Sequence, residues 1–274
     1  MQVRAFNRLF RTAKPVIGAV HLRPLPGAPG WSGPMEKVIA AALADADAIV
    51  KGGADGLIVE NFGDAPFFKD RVPSHTVAAM TVAALRIRER FPKVPLGVNV
   101  LRNDASAAVG IATAVGADFV RVNVHTGVYA TDQGIIEGRA HETLRLRESL
   151  RSSVLIFADA NVKHAAPLDG RDAAVLAKEA AERGLADAII ITGPATGAAA
   201  LPEEVGRVGA VVSVPLIVGS GITPQTVGEY FADADGFIVG TCLKRAGRIE
   251  NPVDAARVRK LISTVRRLRR PKRR

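Results

Sequence analysis

The sequence predicts a closed parallel (β/α)8 barrel, an α/β fold. Eight short apolar runs rich in β-branched residues recur along the chain, and each ends in a polar, glycine or charged residue. An amphipathic helical stretch follows each run, and this alternation is the mark of a parallel sheet wrapped by helices. The length of 274 residues fits one such domain, which typically takes about 250.

The runs are VIGAVH (16–21), GLIVEN (56–61), LGVNV (96–100), FVRVNVH (119–125), VLIFAD (154–159), AIIITG (188–193), LIVGSG (216–221) and GFIVGT (236–241). Helices are expected over about 35–52, 74–91, 104–116, 138–151, 170–184, 201–210, 223–231 and 252–268. Ser74 and Asp104 are cap residues at two helix starts, and Thr223-Pro224 places a cap before a proline at a first helical position. Asp118, Asp187 and Asp235 each precede a strand and mark turns on the bottom face. The stretches 22–34 and 126–137 are long loops on the opposite, catalytic face and are candidate lids. The expected organisation is an N-terminal extension (1–14), the barrel (15–262) and a basic C-terminal tail (263–274).

Composition narrows the function classes. Hydrophobic residues make up 48% and aromatics only 5%, so Ala, Val, Ile and Leu pack the core. A single cysteine, Cys242, excludes an internal disulfide and suits a reducing, cytoplasmic setting. No apolar stretch reaches the roughly 20 residues that span a bilayer, and the first fifteen residues hold no apolar core of a secretory signal. The net charge of +10 is concentrated: residues 259–274 hold nine Lys or Arg and no acid, which leaves the rest nearly neutral. Such a tail could meet an anionic membrane surface and make the protein peripheral there; the plainer reading is a solvated helix end. It carries no aromatic residue on which bases could stack, so nucleic acid is not an expected partner.

Strand alternation assigns the barrel interior. In the fourth run, Val120, Val122 and Val124 share one parity and face the helices, so Phe119, Arg121, Asn123 and His125 point inward. The same rule turns His21, Glu60, Asn99, Phe157, Asp159 and Asn161 inward, with Lys163 just beyond. A buried Arg121 requires a carboxylate, with Glu60 the first candidate and Asp159 the second; an interior ion pair that only fills space is the competing reading. The candidate catalytic residues are therefore His21, Glu60, Asn123, His125, Asp159 and Lys163. Imidazole or carboxylate would be the general base, and Lys163 would polarise a carbonyl or form a Schiff base, unless it is a solvent-facing loop lysine. His164, of opposite parity, supports the loop. His75 and His141 lie on predicted helix starts or faces, with surface or capping roles. A divalent metal through His21, His125 and Asp159 or Glu60 stays open, although no HxH or HExxH spacing supports it. Neither a GxSxG elbow nor a GxxxxGK[ST] loop is present.

The seventh and eighth runs carry a phosphate signature. Gly219, Ser220 and Gly221 end one, and Gly240 and Thr241 end the next, where many barrels hold a phosphate. Glycines let backbone N–H groups approach an anion, hydroxyls add donors, a helix start near Thr223 or Thr241 adds its dipole, and Lys244 could neutralise charge. The competing reading is a pair of tight turns.

The segments PVIGAVHLRPLPGAPGW, GGADGLIVENFGDAPF, PLGVNVLRNDASAAVGIA, VRVNVHTGVYATDQGIIEGRA, FADANVKHAAPL and VGSGIT with DGFIVGTCLK resemble the BtpA/SgcQ family over about residues 14–262. The resemblance implies a TIM barrel related to the ribulose-phosphate-binding group. It also implies an unresolved chemical role: one branch is linked to photosystem I biogenesis as an extrinsic thylakoid protein, while others occur in non-photosynthetic organisms. It supplies no catalytic residues to carry over.

Two functions follow. The first is an enzyme of lyase, isomerase or aldolase type binding a small phosphorylated metabolite at the strand ends, a class drawn from fold analogy. The alternative is a non-catalytic biogenesis factor for photosystem I or another membrane complex, held at the membrane by its tail. The polar interior favours the enzyme. Barrels often pair, so a homo-oligomer is compatible with either function.

Overall fold

The computed structural model describes residues 2–193 and 198–270. Eight parallel strands close the barrel: β1 (Val16–His21), β2 (Gly56–Glu60), β3 (Leu96–Asn99), β4 (Phe119–Val122), β7 (Leu155–Asn161), β9 (Ala188–Ile191), β10 (Leu216–Val218) and β11 (Gly236–Val239). The ring runs in that order, and β11 pairs back onto β1 with Val16 opposite Phe237. All eight runs read from the sequence are therefore strands.

The helices are α1 (Gln2–Phe10), α2 (Met35–Lys51), α3 (Ser74–Arg90), α4 (Ala105–Val115), α5 (Ala140–Ser149), α6 (Ala173–Glu182), α7 (Pro202–Gly209) and α8 (Ala255–Arg269). Asp104 caps α4 through Ala107 N, and Asp172 and Asp254 do the same for α6 and α8. Ser74 makes no capping bond, and Pro73 stands at the cap of α3. The helix expected over 223–231 is reduced to a 3-10 turn at Val227–Tyr230. Thr223 and Thr226 hydroxyls bond each other and the local backbone there, the alternative such side chains offer to a helix.

Parity holds in the packing. Val16, Val20, Leu57, Val59, Val98, Val120 and Val122 belong to the large core between sheet and helices. Ile17, Ala19, Ile58, Phe119, Phe157, Ile190, Ile217 and Ile238 fill the inside of the barrel. Residues 2–10, set apart as an extension in the sequence reading, close its lower end. Phe6 and Phe10 of α1 are buried against Phe157 and Phe119, with ring centroids 5.9 and 6.1 Å apart. The basic segment likewise begins inside the fold: α8 runs to Arg269 and buries Val265, while residues 271–274 lie outside the described residues.

The bottom face is held by a ring of aspartates. Asp55, Asp118, Asp187 and Asp235 each accept the backbone N–H that begins an adjacent strand region, at Val16, Leu96, Ile156 and Leu216, over 2.8–2.9 Å. The turns read from Asp118, Asp187 and Asp235 are thus structural.

At the top, the two long loops are not alike. Residues 128–137 form a hairpin of β5 (Val128–Thr131) and β6 (Gly134–Glu137), extended by β8 (Ala165–Pro167) into a small antiparallel sheet. Tyr129 and Ile136 bury its inner side against Val124, Val162 and Leu176. The loop after β1 is pinned where Leu25 N donates to Asp64. Among the described residues no helix is long and apolar enough to cross a membrane.

Candidate active site

The upper barrel interior is organised around Arg121. Its Nε and Nη2 donate to the two oxygens of Asp159 at 2.9 and 2.8 Å, and Nη1 donates to Glu60 at 3.3 Å. Asn123 Nδ2 donates to Asp159 at 2.9 Å, and Asn99 Nδ2 to Glu60 at 3.2 Å. All five side chains are buried. The bidentate geometry offsets the desolvation of the guanidinium and keeps Arg121 charged. In return, Arg121 and its neighbours outweigh burial and hold the Glu60 carboxyl below its usual range. The sequence asked for one carboxylate partner; the fold supplies two, with Asp159 the closer.

Above this network lies a cavity of about 220 Å³. Gly219, Ser220, Gly221, Gly240 and Thr241 form one wall, and His21, Glu60 and Lys163 are on its lining with them. Both turns are shaped by glycine. Gly221 has φ +69°, and a Cβ there would meet Ala199 Cα at 2.2 Å; a Cβ on Gly240 would meet His21 Cε1 at 2.8 Å. Ser220 Oγ accepts from Gly193 N at 2.6 Å, which ties the turn to the end of β9.

His21 stacks on Phe62 at 4.7 Å, and its Nε2 lies 3.7 Å from Glu60 Oε2. Burial dominates and pushes the imidazole down to about 4, so the ring is neutral at neutral pH. Nδ1 is buried without a partner. Lys163 is held by its backbone: its N–H donates to Thr192 Oγ1 at 3.0 Å and its carbonyl accepts from Arg102 Nη2 at 2.7 Å. Burial, with Arg121 nearby, lowers its ammonium pKa. Among the described residues its amine makes no ion pair.

Three sequence expectations are corrected. His125 is not at the cavity; it is buried with Nε2 2.8 Å from the carbonyl of Gly184 beyond α6, where burial lowers its pKa. Strand β4 ends at Val122, and Val124 N turns to Asn103 Oδ1, so inward parity does not extend to residue 125. Asp159 is absent from the cavity wall, both oxygens being taken by Arg121 and Asn123. Lys244 is buried and paired with Asp45 at 2.6 Å, and it does not line the cavity. With His125 elsewhere, its proposed metal set does not assemble, and among the described residues no group of three His, Cys, Asp or Glu is placed to hold a metal ion.

Two cations escaped the sequence reading. Arg257 of α8 lines the cavity beside the turns, with Nε donating to Cys242 O at 2.8 Å. It stands in a helix whose many basic residues conceal the one that reaches the site. Arg102 follows β3 and is buried. A charged residue directly after a strand was its available signal.

A (β/α)8 barrel with a polar cavity at the carboxyl ends of its strands defines the class. Within that class the chain belongs to the BtpA family, whose model matches residues 12–267. It is 49% identical over 256 residues to an uncharacterized protein of Thermococcus kodakarensis, covering 93% of this chain and 97% of that one. It is 47% identical over 257 residues to the photosystem I biogenesis protein BtpA of Synechocystis, covering 93% and 89%. Among solved structures it is similar to N-(5'-phosphoribosyl)anthranilate isomerase from Pyrococcus furiosus, with a TM-score of 0.59, 13% identity and coverage of 93% and 99%. The last likeness is one of fold.

Proposed function

We propose that this chain is an enzyme that binds a small phosphorylated metabolite and moves a proton at a carbon next to its carbonyl. One observation carries the reading: a single cavity joins Gly219, Ser220, Gly221, Gly240 and Thr241 to His21, Glu60 and Lys163. The glycine turns would present N–H groups to the phosphate, and Arg257 would add charge. A neutral amine on Lys163 could take the proton, or add to the carbonyl with loss of water as a Schiff base. Neutral His21 can pass a proton to or from the carbonyl oxygen. Ionised Glu60 and Asn123 orient the site through Arg121 and Asp159. This chemistry belongs to isomerases, lyases and aldolases alike.

Calorimetry with inorganic phosphate tests the cradle. The wild type binds, Arg257→Gln weakens binding about tenfold, the worth of one charge-assisted contact, and Gly240→Ala weakens it because the added Cβ would press on His21. Absence of binding in the wild type sinks the proposal.

A second reading, a membrane-held assembly factor, is favoured by the name of the Synechocystis relative. Its tail is partly committed elsewhere: Arg269 pairs with Asp55 at 2.7 Å and bonds Lys14 O at 2.9 Å. That reading therefore rests on the exposed basic residues of the tail other than Arg269, among them Arg266 and Arg267.

A further inference from the structure

We infer that the substrate is charged at both ends, a phosphorylated acid that carries a hydroxyl besides its reacting carbonyl and whose carboxylate meets Arg102; this rests on the phosphate cradle proposed above. A second cavity of about 200 Å³ adjoins the first and shares Glu60, Phe62, Arg121 and Lys163 with it. Arg102, Asn99 and Asn123 also line it.

The two arginines there are not served alike. Arg121 is neutralised by Asp159 and Glu60. Arg102 is 4% exposed, and no carboxylate among the described residues lies within ion-pair distance of it. Its Nη2 is spent on a neutral carbonyl, that of Lys163, and its Nε is buried with no partner. Asp132, on the β5–β6 turn, lines the same space without pairing with Arg102; its carboxylate accepts from Gln133 at 2.5 Å. Buried guanidinium groups are ordinarily ion-paired; Arg102 feels Asp159 and Asp132 only from beyond contact distance, and beside an open space it has room for an anion from outside the chain. The planar fork of arginine suits a carboxylate.

A second orphan defines the adjoining group. Asn123 Nδ2 donates to Asp159, which fixes the amide's orientation and leaves Oδ1 buried without a donor. A substrate hydroxyl would supply that donor. Lys163 stands on the boundary of the two cavities, between the ends of such a molecule.

Matched pairs of phosphorylated acids and alcohols test this by calorimetry: 3-phosphoglycerate with glycerol 3-phosphate, 4-phosphoerythronate with erythritol 4-phosphate, and 6-phosphogluconate with glucitol 6-phosphate. At one chain length the acid should bind about tenfold tighter than its alcohol, as expected for a charge-assisted pair. Arg102→Gln should remove that preference and leave the alcohol's affinity within about twofold, which also shows that the variant is folded; Arg102→Lys should keep part of the preference. Equal affinity of acid and alcohol at every length, or a preference that survives Arg102→Gln, overturns the inference while leaving the phosphate cradle standing. Acids that bind through Arg102 while inorganic phosphate and the alcohols do not would uphold the Arg102 site and remove the cradle. Failure of every probe overturns both.

Discussion

His21 shows how burial sets the chemistry of a single residue. Its ordinary value is 6.5, and burial beneath the glycine turns lowers it to about 4 against the opposing pull of Glu60. The unfolded chain therefore binds the proton first as pH falls, and stability drops between pH 6.5 and about 4. A difference of that size corresponds to about 3 kcal/mol at most. Glu60 acts in the same direction but lower, because a carboxylate held below its ordinary 4.5 loses its stabilising charge only beneath that value. Urea unfolding at pH 7, 5.5 and 4.5 reads the His21 share: the wild type loses stability across this range, and His21→Gln reduces the loss, the part left over belonging to buried His125, which acts in the same direction. An unchanged slope in the variant would show that the imidazole is not kept neutral by the fold.

At the scale of elements, the sequence disclosed those that repeat and hid those that do not. Each barrel strand announced itself by a β-branched run and each helix by its period, because eight equivalent packing problems have eight similar solutions. Helix α1 solves a different problem, the open lower mouth of the barrel. Phe6 and Phe10, four residues apart, share one face of α1 and pack with ring centroids 4.9 Å apart, tilted by 54°. That spacing was present in the sequence, yet nothing local told what the pair would meet. The β5–β6 hairpin was also readable in part. Tyr129 and Ile136 are buried while Val128 and Ile135 are exposed, the alternation of a strand with one wet side, in a stretch that its position alone marked as a loop. If α1 is a plug, Phe10→Ala should cost about 3–5 kcal/mol, as large aromatic truncations in cores do. Chemical denaturation checks the size, and phosphate calorimetry should be unchanged because α1 lies at the end opposite the cavity. A loss below about 1 kcal/mol would mean that α1 only rests on the barrel.

Across the whole molecule, the two ends of the barrel divide the work. Carboxylates on the lower face are shared between backbone and arginine: Asp55, Asp118 and Asp187 each join a strand-start N–H to an arginine, through Arg269, Arg88 and Arg147, with only the Nε atoms of Arg88 and Arg269 left over there among the described residues. On the upper face His21 Nδ1, Arg102 Nε and Asn123 Oδ1 are left over as well, and there the residues that carry them line open cavities. Strand direction made this division legible, since residues at strand ends fall to one face. It made His21, Glu60, Asn123, Lys163 and the glycine turns legible as neighbours, and it failed at His125, where the strand had already ended. It could not reveal Arg257 and Arg102, whose places depend on how a helix and a loop settle. The division predicts that stability and binding separate by face. Asp187→Ala leaves Arg147 and the N–H of Ile156 without their shared acceptor, and should lower unfolding free energy by about 2–4 kcal/mol with phosphate affinity unaltered. Thr241→Val removes a hydroxyl from the cavity wall and exposes no buried partner, so it should weaken phosphate severalfold and move the unfolding midpoint little. Denaturation and calorimetry on the same two proteins decide the matter. If both variants lose stability and affinity together, the faces are coupled through the Arg121 network, and the barrel acts as one cooperative support for the site.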